Sequence, residues 1–247
     1  LMYPYYAHGL DGILANNAWK LTGITNGIDT NTFNPETDPA LPAHYNADTF
    51  VQGKAACKSA IFEEFGMPEY GIPLLVMISR FADHKGFDLV KHVFDDIIAT
   101  DMQVVVLGSG EQHYEDFFQE MHYRYPDKVG FYRGYNPQLA KRLYAGADMF
   151  LMPSKSEPCG LAQMIAMRYG TIPLVRETGG LKDTVEPYNE YEGTGTGFSF
   201  TNYNAHDMLH VIRYAVSTYY DKKREWNKIV ERAMKADFSW GTSAKRY

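Results

Sequence analysis

The residues best suited to chemistry lie in the segment SEPCGLAQMIAMRYG, at positions 156–170. The segment begins with a carboxylate, a proline, a cysteine and a glycine, and continues as a row of helix-forming residues. A helix that begins near Gly160 would expose its first four backbone N–H groups, where the dipole carries the equivalent of roughly half a positive charge. Such a terminus binds anions. Glu157 lies three residues before Gly160. A carboxylate beside an anion site requires an explanation.

Two interpretations of Glu157 stay open from these residues. In the structural one, Glu157 caps the helix or pairs with Lys155, which is common in proteins without activity. In the functional one, Glu157 accepts hydrogen bonds from sugar hydroxyls while phosphates occupy the helix terminus. Because a sugar joined to a diphosphate is a nucleotide sugar, the functional interpretation predicts a nucleotide-sugar site.

Arg80 and Lys85 are a second candidate, since they are five residues apart across a predicted strand-to-helix turn. Arginine offers paired planar donors and lysine a mobile charge, a combination that suits a diphosphate. Both residues could instead be solvated loop cations.

Two glycine-containing segments are weaker candidates for a ligand site. GSG at 108–110 lacks the third glycine of a dinucleotide fingerprint and by itself indicates a turn. TGG at 178–180 would let backbone N–H groups approach a ligand closely.

These candidates require a fold that brings strand ends together. The sequence predicts strands over 73–80, 102–110, 128–135, 148–154, 171–177 and 195–200, and helical patterns over 85–99, 113–126, 137–147, from about 160, and over 204–220. This alternation predicts an α/β fold with a Rossmann-like, doubly wound parallel sheet. Ligands of such sheets bind outside the carboxyl ends of the strands, where all of these candidates fall. The proline-containing stretch 34–48 is predicted to be an ordered surface loop or a linker.

Composition excludes several classes of protein. The net charge of −6 argues against a general nucleic-acid or anionic-membrane binder, so any phosphate site must be local. Cys57 and Cys159 are the only cysteines, which excludes a disulfide framework and favours a reducing compartment. No apolar run approaches the roughly 20 residues that cross a bilayer, and the start lacks the features of a signal peptide. We therefore expect a soluble, intracellular protein.

Several motifs together resemble the carboxyl-terminal half of glycogen and starch synthases. The resemblance covers essentially the whole chain, in the segments NGIDTNTFNPETD, ISRFADHKGFDLV, YRGYNPQLAKRLYAGADMFLMPS, SEPCGLAQMIAMRYGTIPLVRETGGLKDTV and DFSWGTSAKRY. It implies a GT-B fold, in which two Rossmann-like domains face each other across a cleft and the second holds most of the donor nucleotide. It also implies transfer of glucose from ADP-glucose, or UDP-glucose, to the nonreducing end of an α-1,4-glucan, with retention and without a metal or other cofactor.

The resemblance implies roles for individual residues. Arg80 and Lys85 match cations that hold the distal phosphate and stabilise the departing diphosphate. Glu157 matches the carboxylate that holds hydroxyls of the transferred glucose, and Tyr135 matches an aromatic residue that stacks on the base. The residues expected beside the sugar and phosphates are Cys159, Gly160, Leu161, Thr178, Gly179, Gly180 and Leu181.

The chain departs from the family pattern at a few positions near this site. Lys155 and Ser156 replace an Arg-Phe pair, and His84 replaces a glutamine. Gln163 and Met164 occupy the region where many related transferases carry a second glutamate that grips the ribose, so the ribose contacts are open.

The resemblance also implies a division of the chain. Residues 1–26 are expected to lead out of a missing amino-terminal domain, 27–236 to form the nucleotide-sugar binding domain, and 237–247 to begin a segment that crosses back. Without the other domain half of the cleft is open to water, so we expect nucleotide binding and little or no catalysis from this chain alone.

Alternatives to this function remain. The chain could be a non-catalytic nucleotide-sugar or glucan binding module, or part of another transferase with the same fold. A surface glucan site could include Tyr219, Tyr220 and Trp226, although tyrosines at helical spacing more often form core or a domain interface. The expected location is the cytoplasm of a bacterium or the plastid stroma of a plant or alga.

Overall fold

Six parallel strands form the centre of the protein in the computed structural model, which describes residue 7 and residues 9–247. The strands run β3-β2-β1-β4-β5-β6 across the sheet, the order of a doubly wound Rossmann-like fold. Their bounds are β1 Leu74–Phe81, β2 Gln103–Gly110, β3 Val129–Arg133, β4 Met149–Met152, β5 Ile172–Arg176 and β6 Phe198–Phe200. The predicted fold class is therefore confirmed.

Helices connect successive strands and cover both faces of the sheet. In β1, four consecutive residues from Leu74 to Met77 are buried; because successive side chains point to opposite faces, neither face is open to solvent. The helices are α1 Asp11–Asn16, α2 Phe50–Phe65, α3 Phe87–His92, α4 Phe94–Ala99, α5 Gln112–Arg124, α6 Pro137–Gly146, α7 Ala162–Arg168, α8 Gly179–Thr184, α9 Ala205–Asp221, α10 Lys223–Lys235 and α11 Trp240–Ala244. Within the described part of the chain, no helix is long and apolar enough to cross a membrane.

The strand order reverses between β1 and β4, and this reversal determines where a ligand site can form. The two strands pair at Leu75 with Met149 and at Val76 with Phe150, while their helical connections run to opposite sides of the sheet. A crevice forms outside the carboxyl ends of two such strands, because the loops that follow them diverge. The loops that begin at Ala82 and Pro153 lie at this point.

Two predicted elements differ from the structure in their bounds. The helix predicted over 85–99 is two helices, α3 and α4, because Val93 has φ −122° and leaves the helical region between them. The helix predicted from about Gly160 begins two residues later, at Ala162, and has only seven residues. Helices α2 and α10 come from segments for which no element was predicted.

The loop over 34–48 is ordered, as predicted, but it is anchored in the core. Tyr45 is buried and its hydroxyl donates to the carbonyls of Ala145, at 3.2 Å, and Tyr169, at 2.8 Å. Asp38 is also buried, and it accepts hydrogen bonds from the Tyr169 hydroxyl and from Lys141.

The segments on either side of the predicted domain boundaries are adjacent. The N–H of Ile28 donates to the carbonyl of Phe238 at 2.8 Å, and Ile28 forms a parallel bridge with Ser239. A Cβ at Gly27 would lie 2.5 Å from the backbone nitrogen of Trp240, so the contact requires glycine. Residues 1–6 and 8 of the predicted 1–26 segment lie outside the described residues.

A buried lysine joins the ends of two helices. The Lys54 ammonium donates to the carbonyls of Ala145, in the last turn of α6, and Tyr169, directly after α7, at 2.8 and 3.1 Å. It also donates to Thr171 Oγ1 at 2.9 Å. Burial lowers the pKa of Lys54 from its ordinary value of 10.5 to about 7, against the attraction of Asp148.

This lowered pKa predicts a measurable pH dependence of stability. Between pH 7 and 10.5 the unfolded chain binds more protons at Lys54 than the folded chain does, so the free energy of unfolding rises with pH in that window. In the wild-type protein, the slope of the free energy of unfolding against pH should exceed the slope in Lys54→Met by up to about 1.4 kcal/mol per pH unit. Urea unfolding of both proteins across this range measures the two slopes; equal slopes would contradict the lowered pKa.

Candidate functional site

The loops after β1 and β4 are joined to each other by backbone contacts. The N–H of Lys155 donates to the carbonyl of His84 at 2.8 Å. Gly86 has φ +80°, and a Cβ there would lie 2.1 Å from the carbonyl oxygen of Pro153. Gly86 therefore provides both the left-handed turn and the close approach that hold the two loops together.

Lys85 and Glu157 form an ion pair across this junction. Lys85 Nζ lies 2.6 Å from Glu157 Oε2, and the side chains are only 21% and 11% exposed. The hydroxyl of Ser154 lies 3.4 Å from the same carboxylate oxygen. A cation and an anion are thus held together at the carboxyl edge of the sheet, where either could exchange its partner for a polar ligand.

The structure excludes helix capping, one form of the structural interpretation of Glu157. Helix α7 has Leu161 as its N-cap residue and no side-chain cap hydrogen bond, so Glu157 does not cap the helix. The carboxylate pairs with Lys85, in the turn that follows β1, and its functional role stays a prediction. Because α7 is a single short helix of seven residues, the anion-site argument rests on Lys85 more than on the helix terminus.

The turn over 178–181 packs against the backbone that carries Glu157. The N–H of Gly180 donates to the carbonyls of Glu157, at 3.1 Å, and Pro158, at 3.2 Å, and the N–H of Leu181 donates to the carbonyl of Thr178. Leu181 is fully buried. The expectation that this turn offers its N–H groups to a ligand therefore needs correction at Gly180 and Leu181, whose donors are used within the fold.

Close contact in this turn requires glycine. A Cβ at Gly179, which has φ +45°, would lie 2.2 Å from the carbonyl oxygen of Glu157, and a Cβ at Gly180 would lie 1.9 Å from that of Cys159. The turn and the loop over 157–159 must therefore move apart if either glycine gains a side chain.

We expect Gly180→Ala to lower the free energy of unfolding by about 1–3 kcal/mol, because the added methyl group overlaps backbone atoms. The matched control is Gly12→Ala in α1, where a Cβ meets nothing within 4 Å; there the change should be neutral or slightly stabilising. Urea unfolding of the two variants makes the comparison. Equal stability of Gly180→Ala and wild type would show that the turn can move without cost.

Arg80 and Tyr135 line a cleft at the carboxyl ends of β1 and β2. The cleft has a volume of about 430 Å³ and also includes Gly108, Ser109 and Asn136. The ring of Tyr135 is 88% exposed, so one face of a planar ligand could stack on it. The Gly134 N–H donates to the Gly108 carbonyl at 2.9 Å and ties the two walls together.

The predicted site residues thus fall into two groups. Arg80 and Tyr135 share the cleft, and Lys85 and Glu157 form the ion pair with the 178–181 turn behind them. The cleft that contains Arg80 and Tyr135 is not lined by Lys85 or Glu157. The roles assigned to these residues remain predictions.

Cys159, Gly160 and Leu161 form the turn between Glu157 and helix α7. The amide nitrogen of Gln163 donates to the carbonyls of Cys159 and Gly160 at 3.1 and 3.0 Å, and these hydrogen bonds stabilise the turn. Gly160 has φ +69°, and Leu161 is partly exposed. Gln163 is fully buried and its amide nitrogen is used in this support, so its side chain is not exposed on the surface.

Other sequence candidates have structural roles. Trp226 is buried, at 3% exposure, and the Tyr219 ring packs on it edge to face at 5.3 Å. The Tyr220 hydroxyl donates to Asp101. Trp226 and Tyr219 therefore pack in or against the core, as the second interpretation predicted, whereas Tyr220 is 43% exposed. Asp83, Glu111 and His113 lie close enough to share a cation, but all three are exposed and Asp83 N–H already donates to Glu111.

Two residues that contact the 153–157 loop, Arg176 and Tyr203, had no predicted role. The Arg176 guanidinium, at the end of β5, lies 5.5 Å from the ring centroid of Tyr203. The Tyr203 hydroxyl donates to Asp88, and burial together with that bond raises its pKa. An arginine at a strand end was the available signal, but its partners are distant in sequence.

Comparison with known proteins places the chain among sugar transferases. The family described as "Glycosyl transferases group 1" matches residues 58–233. Glycogen synthase of Lachnospira eligens is 52% identical over 245 residues, which are 99% of this chain and 51% of that protein. Glycogen synthase of Bacillus cereus (strain ATCC 10987 / NRS 248) is 51% identical over 248 residues, or 100% of this chain and 52% of that protein. The chain therefore spans about half the length of these curated relatives.

A solved structure is similar over the whole chain. The catalytic domain of Starch Synthase IV from Arabidopsis thaliana, bound to ADP and acarbose, superposes with a TM-score of 0.93 at 36% identity. The match covers 100% of this chain and 51% of that one.

Proposed function

This chain belongs to the group 1 glycosyl transferases, and on that premise we propose that it is the donor-binding half of a glucosyltransferase of the glycogen synthase type. One observation supports the proposal most strongly. The Lys85–Glu157 ion pair joins the loops that follow β1 and β4, and Arg80, near the end of β1, lines a cleft together with Tyr135. A cation pair for phosphates, a carboxylate for hydroxyls and an exposed ring for a base are the parts that a nucleotide sugar requires.

The proposed donor is ADP-glucose. The base stacks on Tyr135 in the cleft, and Arg80 and Lys85 hold the diphosphate. ADP in the Arabidopsis structure supports the choice of nucleotide, and the similarity to glycogen synthases supports the choice of sugar.

The proposed chemistry exchanges the partners of the ion pair. Phosphate oxygens compete for the Lys85 ammonium, and glucose hydroxyls donate to the Glu157 carboxylate. As the bond between sugar and phosphate lengthens, positive charge gathers on the anomeric carbon and negative charge on the departing diphosphate. Arg80 and Lys85 stabilise that negative charge in the transition state, Lys85 once it has exchanged the Glu157 carboxylate for phosphate oxygens.

The acceptor and the rest of the cleft belong to the proposed whole enzyme. Glucose is transferred to the nonreducing end of an α-1,4-glucan with retention, with no metal. Residues 27–236 form the donor domain, residues 1–26 lead into it, and residues 237–247 lead out of it toward an amino-terminal domain. The bacterial relatives favour a bacterial cytoplasm as its location.

The test compares the full-length enzyme with this chain alone, using ADP-glucose labelled in the glucose and an α-1,4-glucan primer. We expect the full-length enzyme to extend the primer and this chain to bind ADP without transfer, since the acceptor surface lies on the other domain. Nucleotide binding without transfer by the full-length protein would contradict the proposal and favour a binding module.

A further inference from the structure

Arg176 connects strand β5 to the loop that carries Glu157. Its Nη1 lies 2.9 Å from the carbonyl oxygen of Lys155 and 3.5 Å from that of Ser154. These two carbonyls belong to the residues just before Ser156 and Glu157 in the chain. Ser154 in turn places its hydroxyl 3.4 Å from Glu157 Oε2, so the guanidinium reaches the carboxylate through a single intervening residue.

The guanidinium is itself fixed by a tyrosine. The Arg176 guanidinium carbon lies 5.5 Å from the centroid of the Tyr203 ring, and Tyr203 donates its hydroxyl to Asp88 Oδ1 at the start of α3. Arginine binds an aromatic face through its plane while its N–H groups remain directed at other acceptors. Tyr203 therefore determines where Arg176 can donate its hydrogen bonds.

The contacts of Arg176 do not maximise stability. Its Nε is buried and has no hydrogen-bond partner among the described residues. A buried N–H without an acceptor destabilises the folded state. An apolar residue would avoid that cost, but it would leave the Lys155 and Ser154 carbonyls without this donor.

The loop over 154–157 is attached to its surroundings through backbone bonds and through side chains. Two backbone bonds run from Lys155 N–H to His84 and from Gly180 N–H to Glu157. The side-chain contacts include the Lys85–Glu157 ion pair, the Lys155 ammonium over the Tyr203 ring and the bonds from Arg176. The backbone bonds join the loop to the β1 loop and to the 178–181 turn. Arg176 adds the link to β5, which resists rotation of the loop away from the sheet.

We propose that Arg176 is a positioning residue for glucosyl transfer, which holds the 154–157 loop so that the Glu157 carboxylate meets the hydroxyls of the transferred glucose. This inference rests on the proposed function. Arg176 acts through Glu157 and does not contact the Tyr135 cleft, whose lining residues do not include it. Its loss should therefore affect turnover more than nucleotide binding.

The first test is Arg176→Ala in the full-length enzyme. We expect kcat to fall about 10- to 100-fold, the loss associated with a small displacement of a catalytic group, while the Kd of this chain for ADP stays within about twofold. Millimolar guanidinium should restore part of kcat, because it can occupy the vacated place on the Tyr203 ring. The matched control is Arg213→Ala, which removes an exposed arginine paired with Asp96 at 3.3 Å; neither its kcat nor its response to guanidinium should differ from wild type.

A second pair of variants keeps Arg176 and changes what holds it. Tyr203→Phe retains the ring and should leave kcat near the wild-type value, whereas Tyr203→Ala removes the ring and should lower kcat in the direction of Arg176→Ala. This pair provides the test if Arg176→Ala does not fold.

Several outcomes would overturn the inference. They are a kcat of Arg176→Ala equal to that of Arg213→Ala, a fall in kcat matched by an equal loss of ADP affinity without rescue by guanidinium, or equal kcat values for Tyr203→Ala and Tyr203→Phe. If the wild-type enzyme is active and any of these results is found, this inference alone is wrong. If the full-length wild-type protein transfers no glucose, the proposed function is wrong, and so is this inference.

Discussion

Lys85→Ala in the full-length enzyme is expected to lower kcat by roughly 10²–10³-fold, the loss typical of removing one preorganised donor to developing negative charge. The reason is the position of Lys85 in the turn that follows β1, where its ammonium is held 2.6 Å from Glu157 and largely shielded from solvent. In that environment a positive charge interacts more strongly with a departing diphosphate than it would in water. Arg80→Ala is expected to have a comparable effect and, in addition, to weaken ADP binding.

Steady-state kinetics with ADP-glucose and primer measure this loss. The control is Lys228→Ala, which removes an exposed lysine paired with Glu225 on the same helix and should leave kcat unchanged. A kcat for Lys85→Ala within about threefold of wild type would contradict the charge-stabilising role in leaving-group departure and would make Lys85 a structural partner of Glu157.

Glu157→Gln is expected to have the second largest effect, a fall in kcat of about 100-fold with ADP affinity unchanged or higher. Glutamine keeps the shape of the side chain and one acceptor oxygen, but it replaces the other acceptor with an NH2 donor and removes the charge. The hydrogen bonds from the sugar hydroxyls are therefore weakened, and the glucose loses its fixed orientation. The same change also releases Lys85 from its ion pair, which leaves the ammonium available to the phosphates. Opposite effects on turnover and on nucleotide binding therefore follow from one observed contact.

Calorimetry with ADP and kinetics with ADP-glucose separate these two effects. Glu64→Gln is the matched control, because Glu64 also forms an ion pair with a basic residue, Arg142, at 2.7 Å, but on helix α2. It should change neither quantity. Wild-type turnover by Glu157→Gln would mean that the Lys85–Glu157 pair serves only to join the two loops.

The order of strands and helices could be predicted because the strands are continuous apolar runs between helical patterns. Helix α2 could not be predicted in that way. Its buried face includes Gly53, Lys54 and Lys58, so the hydrophobic spacing that identifies an amphipathic helix is interrupted. Only the tertiary structure provides the carbonyl and carboxylate acceptors that let these lysines lie inside.

The charged members of the site were accessible from sequence because they follow strand ends, which lie together in any doubly wound sheet. The directions of the backbone N–H groups could not be predicted in this way. The N–H of Gly180 was expected to face a ligand, but it donates to the Glu157 carbonyl, and no local pattern determines that direction. The contact between Arg176 and Ser154 joins residues 22 positions apart and depends on how β4 and β5 pair.

The central claim is that this chain contains the donor nucleotide site, and calorimetric titration of the chain with ADP and with UDP tests it most directly. We expect saturable binding of ADP, weaker binding of UDP, and loss of ADP binding in Arg80→Ala, whose side chain lines the cleft with Tyr135. Absence of binding by either nucleotide, or equal ADP affinity in Arg80→Ala and wild type, would contradict it.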